Sequence, residues 1–128
     1  MKIILAVNNL GYIGLNGKLP WESPEDLSHF KKLTLGKTLI VGRSTFEKMP
    51  KLKGRSVVVV GKGYNTLEEA LSKNPDWCIG GSGLVQSVCH LCSELHLSFI
   101  NDDTIGDTGA PDFENFKGHV FRYKFNAV

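Results

Sequence analysis

Four consecutive valines, Val57 to Val60, follow Ser56 and lie between Gly54 and Gly61, and they constrain this chain more than any other stretch. A β-branched run closed by glycine at both ends reads as a strand, the strongest such signal in the chain. Lys2-Ile3-Ile4-Leu5-Ala6-Val7 is a continuous apolar run that suits a strand buried on both faces, and Thr38 to Val41 is a second apolar strand. Strands of this kind need helices over both sides, and helical signals lie between them. Ser23 is a good N-cap, Pro24 fits the first helical position, and the helix they open runs to Leu35 and stops at Gly36. Ser44 is placed to cap a short helical turn ending near Met49, and Thr66-Leu67-Glu68-Glu69 forms a capping box for a helix ending near Asn74-Pro75.

The pattern continues with a short strand, Asp76 to Ile79, closing on Gly80-Gly81-Ser82-Gly83. The helix after it has Leu84, Val85, Val88 and Leu91/Cys92 as its apolar positions, and Glu94 to Ile100 is another strand. A loop rich in Asp, Gly and Pro leads to Phe116, and His119 to Phe125 alternates in a way that fits an edge or antiparallel strand. The expectation is an α/β domain over residues 1–128, a mostly parallel sheet with an antiparallel C-terminal strand, flanked by about four helices.

Composition excludes several classes. A chain of 128 residues supports one core, and 15 basic against 13 acidic residues, net +2, argue against a nucleic-acid binder driven by charge. Met1 to Val7 turns polar at Asn8-Asn9, too early for a signal segment or a membrane span. Three cysteines without a signal segment suggest reduced thiols in a cytoplasmic setting. Cys89-His90-Leu91-Cys92 lacks a second ligand pair at zinc spacing and lies on an apolar helix, so its cysteines read as small hydrophobes and no metal is expected.

In parallel sheets ligands bind at the carboxyl ends of the strands. That places Asn8 to Trp21, Gly42 to Thr45, Gly61-Lys62 and Gly80 to Gly83 on one rim, each containing glycine, which hints at a phosphate-bearing ligand. Read as a dinucleotide fingerprint, Gly81 and Gly83 fit but Gln86 replaces the third glycine, with Asp102 at a plausible distance for a ribose-binding acid. A tight turn explains the same glycines. Arg43 suits an extra phosphate or a solvated surface charge. Gly36-Lys37-Thr38 imitates a phosphate loop but precedes a strand and has Lys31 where the motif needs glycine.

The anomaly lies on the first helix. Asp26, Phe30 and Leu33 share one face, so a carboxylate falls in register with the apolar stripe. A first-turn acid three residues after Ser23 serves as a cap-like, dipole-favoured residue, whereas a buried one needs a strong partner, and that partner can be a ligand.

Taken in order, the pieces resemble dihydrofolate reductase. Ile4-Leu5-Ala6-Val7 with Tyr12-Ile13-Gly14, then Leu19-Pro20-Trp21, Asp26-Leu27 and Phe30-Lys31, are similar to that family's first strand, nicotinamide loop and most diagnostic stretch. Val41-Gly42-Arg43-Ser44-Thr45-Phe46-Glu47, Leu52-Lys53-Gly54-Arg55, Ile79-Gly80-Gly81 and Gly106-Asp107-Thr108 with Pro111 match its later motifs, so the resemblance runs from about residue 2 to 125.

The resemblance implies that the chain folds like that family and reduces dihydrofolate with NADPH, as a cytoplasmic monomer with no nucleic-acid or membrane partner. Asp26 and Trp21 would be catalytic. Asp26 would hydrogen-bond the pterin's amide nitrogen and amino group, so that N5 accepts a proton while C6 takes hydride. Leu5, Leu27, Phe30, Met49 and Leu52 would wall the substrate, Ser98 would support the acid, and Arg55 with Lys31 would hold the glutamate carboxylate. Ala6, Ile13 and Gly14 would meet the nicotinamide. Gly42, Arg43, Ser44, Thr45 and Lys62 would take the adenosine end with its 2′-phosphate. Gly81, Ser82 and Gly83 would cradle the pyrophosphate, with Val60, Ile79, Gly80, Leu84 and Thr108 completing the cofactor site and a cis peptide expected at Gly80-Gly81. The chain departs from the family in its short Val60 to Thr66 segment, its trimmed C-terminal hairpin, Val85 in place of an aromatic residue, and Gly83 in place of a basic or polar one. Two other readings stay open, a related reductase of another pterin or pyrimidine and a nucleotide-binding module with weak catalysis.

Overall fold

The computed structural model describes residues 1–128. Its main sheet has six strands, and β1 (Lys2–Asn8) runs through its interior. The others are β3 (Thr38–Gly42), β4 (Ser56–Val60), β5 (Trp77–Cys78), β6 (Glu94–Asn101) and β8 (His119–Asn126), in the order β4-β3-β5-β1-β6-β8. Every pairing in this sheet is parallel. A separate antiparallel pair joins β2 (Tyr12–Gly14) to β7 (Thr108–Gly109).

Two of the helices form where their caps predict. α1 (Pro24–Thr34) starts with the Ser23 hydroxyl accepting from the Asp26 N–H. α3 (Leu67–Leu71) has the complete capping box, with Thr66 and Glu69 exchanging bonds of 3.0 and 3.1 Å. Ser44 does not cap. α2 (Arg43–Lys48) begins two residues earlier than a cap at Ser44 allows, with Gly42 at the cap position and no side-chain bond. α4 (Ser82–Val88) starts after Gly81 and gives way to a 3₁₀ turn, Cys89–Leu91, which turns Leu91 outward at 52% exposed.

Alternate side chains of each strand point to opposite faces, which divides the core in two. On one face Ile3, Leu5, Ile40 and Cys78 pack with Val85, Val88, Cys89 and Cys92 below α4, and on the other Ile4, Leu39 and Trp77 pack against Phe30 and Leu33 of α1. The three thiols are buried and unpaired, and burial pushes Cys78 up to about 12 and Cys92 up to about 11. They are packing residues, and no group of His, Cys, Asp or Glu is arranged to hold a metal.

The valine run forms β4 as its composition predicts; it lies at an edge, and only Val59 of its valines is buried. One expectation needs correction. The last strand, expected to be antiparallel, pairs parallel with β6 from Glu94↔His119 to Asn101↔Asn126. Alternation reports that one face is wet. Direction is decided by the connection, and residues 102–118 carry the chain back across the sheet, where the His119 N–H donates to Ser93 O at 3.0 Å.

Ile40 has no exposed surface and sits on β3 at the centre of the larger cluster. Ile40→Ala is expected to cost about 2–5 kcal/mol in denaturant unfolding, and a loss below about 1 kcal/mol would contradict this packing.

Candidate active site

The carboxyl ends of β1, β3, β4 and β5 open onto a cleft of about 1300 Å³. Its floor carries the anomalous acid. Asp26 is only 8% exposed, because Ser23 and Pro24 start α1 so that the first turn faces the sheet. Burial holds the Asp26 carboxyl above the ordinary range, and a hydrogen bond from Ser98 pulls the other way. Ser98 is 1% exposed on β6, in register with Ala6 on β1. Both readings of Asp26 hold together, since it is a first-turn acid and also faces the cleft.

Leu5, Leu27, Phe30, Met49 and Leu52 line the cleft around this acid, together with Ile4, Leu19 and Pro50, which were not among the expected site residues. Trp21 lies outside the lining. It is buried, and its indole N–H has no partner in the protein. Arg55 stands behind Phe30, its guanidinium carbon 5.8 Å from the ring centroid. It donates through Nη1 to Thr34 Oγ1 at 3.3 Å and through Nε to Lys53 O at 3.0 Å. Lys31 is exposed one helical turn after Leu27, and no carboxylate pairs with it or with Arg55.

The opposite half is lined by Ala6, Ile13, Gly14, Gly42, Arg43, Ser44, Thr45, Val60, Ile79, Gly80, Gly81, Ser82, Gly83, Leu84 and Thr108. The backbones approach closely here. The Gly42 N–H donates to Gly80 O at 2.8 Å, the Gly80-Gly81 peptide is cis, and a Cβ on Gly81 would stand 2.9 Å from Thr45 Oγ1. α2 and α4 both start here without a side-chain cap, so their first-turn N–H groups are free for an anion, and open space surrounds Gly83. Two uncapped helix starts on one cleft fit the phosphates of a dinucleotide, with Arg43 at the rim. Arg43 is steadied by Glu47 at 3.0 Å and by Lys62 O at 3.4 Å.

The Lys62 side chain is exposed outside the lining, and it is the backbone carbonyl that meets Arg43. Asp102 does not reach the cleft. It accepts from Asn8 at 3.2 Å and from Thr104, fastening the turn after β1. Four charged residues of the lining were not among the expected site residues: Lys18, Glu22, Glu47 and Lys48. The Lys48 side chain lies across Gly17, where a Cβ would collide with it at 2.0 Å. Gly17 adopts a positive φ, and no local sequence pattern marks its contact with Lys48.

The raised proton affinity of Asp26 has a consequence for stability. The native state binds this proton more tightly than the unfolded chain, so stability falls as pH rises from about 4, the unfolded value, through the folded value. Asp26→Asn keeps the shape and an acceptor for Ser98 without the charge. It is expected to melt above the native protein at neutral pH, with the gap closing toward pH 4. Thermal melts across that range check this, and a pH-independent gap, or a lower melting point at neutral pH, would contradict it.

Comparison with known proteins agrees with this geometry. The family model described as dihydrofolate reductase matches residues 1–125. The chain is 30% identical over 130 residues to a dihydrofolate reductase of Buchnera aphidicola subsp. Baizongia pistaciae, covering 90% of this chain and 79% of the relative. It is 37% identical over 124 residues to dihydrofolate reductase type 3 of Salmonella typhimurium, covering 85% and 75%. A solved dihydrofolate reductase from Enterococcus faecalis, complexed with NADP(H) and RAB-propyl, superposes with a TM-score of 0.80 at 32% identity over 88% of this chain and 77% of that one. The chain belongs to the dihydrofolate reductase family.

Proposed function

We infer that this protein reduces 7,8-dihydrofolate to 5,6,7,8-tetrahydrofolate with NADPH, acting as a single domain of residues 1–128 and as a monomer in a cytoplasmic compartment. The observation that carries the reading is the buried Asp26 carboxyl at the floor of the apolar half of a cleft whose other half is lined by glycine and uncapped helix starts. NADPH, when bound, supplies the hydride that C6 of the pterin receives.

The protein's own residues do the rest. Asp26 accepts hydrogen bonds from the pterin's amide nitrogen and amino group, which fixes the ring's orientation and pushes electron density toward N5, raising its affinity for the proton that one admitted water delivers. Its raised proton affinity lets it hold a proton closer to neutral pH than an exposed aspartate does, and Ser98 keeps the carboxyl oriented. The unpartnered Trp21 N–H is a buried donor available to a polar atom of the bound substrate or an ordered water. Leu5, Leu27, Phe30, Met49 and Leu52 keep water from the reacting ring.

Arg55, packed against Phe30 and bonded to Thr34, lies outside the cleft lining and offers its remaining N–H groups to the substrate's tail carboxylate, with Lys31 as a second cation. On the cofactor side, Ala6, Ile13 and Gly14 meet the nicotinamide, and Gly81, Ser82 and Gly83 hold the pyrophosphate. Arg43, Ser44 and Thr45 take the 2′-phosphate end. The Arg43–Glu47 pair keeps the guanidinium on this rim.

Loss of NADPH absorbance is expected only when dihydrofolate is present. Asp26→Asn should lower turnover by about 10²–10⁴-fold while the protein stays folded, and native turnover in that variant would overturn the role given to Asp26. Arg55→Leu should raise KM for dihydrofolate by about 10- to 100-fold with kcat little changed, as expected for a lost charged hydrogen bond remote from the reacting atoms. An unchanged KM would remove Arg55 from the substrate site.

A further inference from the structure

The parallel direction of β8 delivers residues 126–128 to the edge of the sheet where the cleft opens, and an antiparallel strand would deliver them to the opposite edge. There the chain is tied to the start of α1 at two points. The Ser23 hydroxyl donates to Asn126 O at 2.8 Å while accepting from the Asp26 N–H at 3.3 Å. The Val128 N–H donates to Glu22 O at 2.8 Å. Ser23 is 2% exposed, and with its proton given to Asn126 its lone pair remains for Asp26, so one hydroxyl links the last strand to the backbone of the buried acid.

A third contact sits lower on the same interface. The His29 ring packs on Tyr123 at 4.1 Å and on Phe125 at 5.3 Å between centroids. β8 therefore touches α1 on the helix's own side of the sheet, through His29, Ser23 and Glu22. Glu22 and Asp26, which flank this seam, both line the cleft.

We propose that Ser23 and the 126–128 segment are positioning elements for Asp26: the tie from the end of β8 sets how deeply the Asp26 carboxyl sits in the cleft. Ordinary helix capping needs only the acceptor role of Ser23 and leaves the Asn126 and Val128 bonds without an explanation. The proposal rests on the reductase reading for its kinetic consequence but not for its geometric one, so it is tested by two readouts.

The variants are Ser23→Ala, which removes both bonds of the hydroxyl, Ser23→Thr, which keeps them, and Val128→Pro, which deletes one N–H at a side chain 87% exposed. Carbon-13 NMR titration of the Asp26 carboxyl should show its midpoint falling toward the ordinary aspartate range in Ser23→Ala and, less, in Val128→Pro, and returning in Ser23→Thr. With dihydrofolate and NADPH, kcat should fall by about 10- to 100-fold in Ser23→Ala and about three- to tenfold in Val128→Pro, with smaller changes in KM, as expected for a displaced catalytic group. If Ser23→Ala does not fold, Val128→Pro decides alone. A native Asp26 midpoint in the folded variants overturns the proposal whatever the turnover. Failure of the native protein to reduce dihydrofolate overturns the reductase reading and leaves the titration to decide this one.

Discussion

One direction runs through the whole main sheet, and the cleft depends on it. Because every pairing is parallel, the carboxyl ends of the strands, and the loops that leave them, collect on one edge. The turns there cannot be satisfied by ladder hydrogen bonds, so they use glycine, cross-loop bonds such as Gly42 to Gly80, and helix starts whose N–H groups stay free. The same edge receives the start of α1, which places a carboxylate opposite the glycine-lined half. Substrate and cofactor sites are two sides of one topological consequence.

Within that frame Asp26 is the costly element. Its burial disfavours the charged form, and Ser98 offsets only part of that effect. A group whose burial lowers stability in the free protein does not serve to hold the fold together. The apolar clusters on the two faces of the sheet carry the stability instead, with the buried thiols acting as packing atoms. Function and stability are thus divided between the edge of the sheet and its faces.

Much of this was legible from residue patterns. The α1 face bearing Asp26, the capping box at Thr66 and the glycine-bearing rims are local signals, and local chemistry fixes them. What was not legible depended on partners distant in sequence. The run Val57–Val60 reads correctly as a strand, but its composition cannot report that it lies at an edge. The direction of β8 follows from the path of residues 102–118, which no periodicity encodes. Asp102 stood at a plausible spacing for a ribose ligand, yet Asn8 and Thr104 hold it elsewhere. Ser23 read as a cap and proved to be a cap with a second bond, to a residue over a hundred positions away.

The most direct measurement of the central claim is the pH dependence of hydride transfer in a single turnover with dihydrofolate and NADPH. The account predicts a rate that falls as pH rises, with a midpoint above the ordinary aspartate range, and a profile without that step in Asp26→Asn. A native profile that shows the same step in Asp26→Asn would contradict it, because the proton would then be handled by another group.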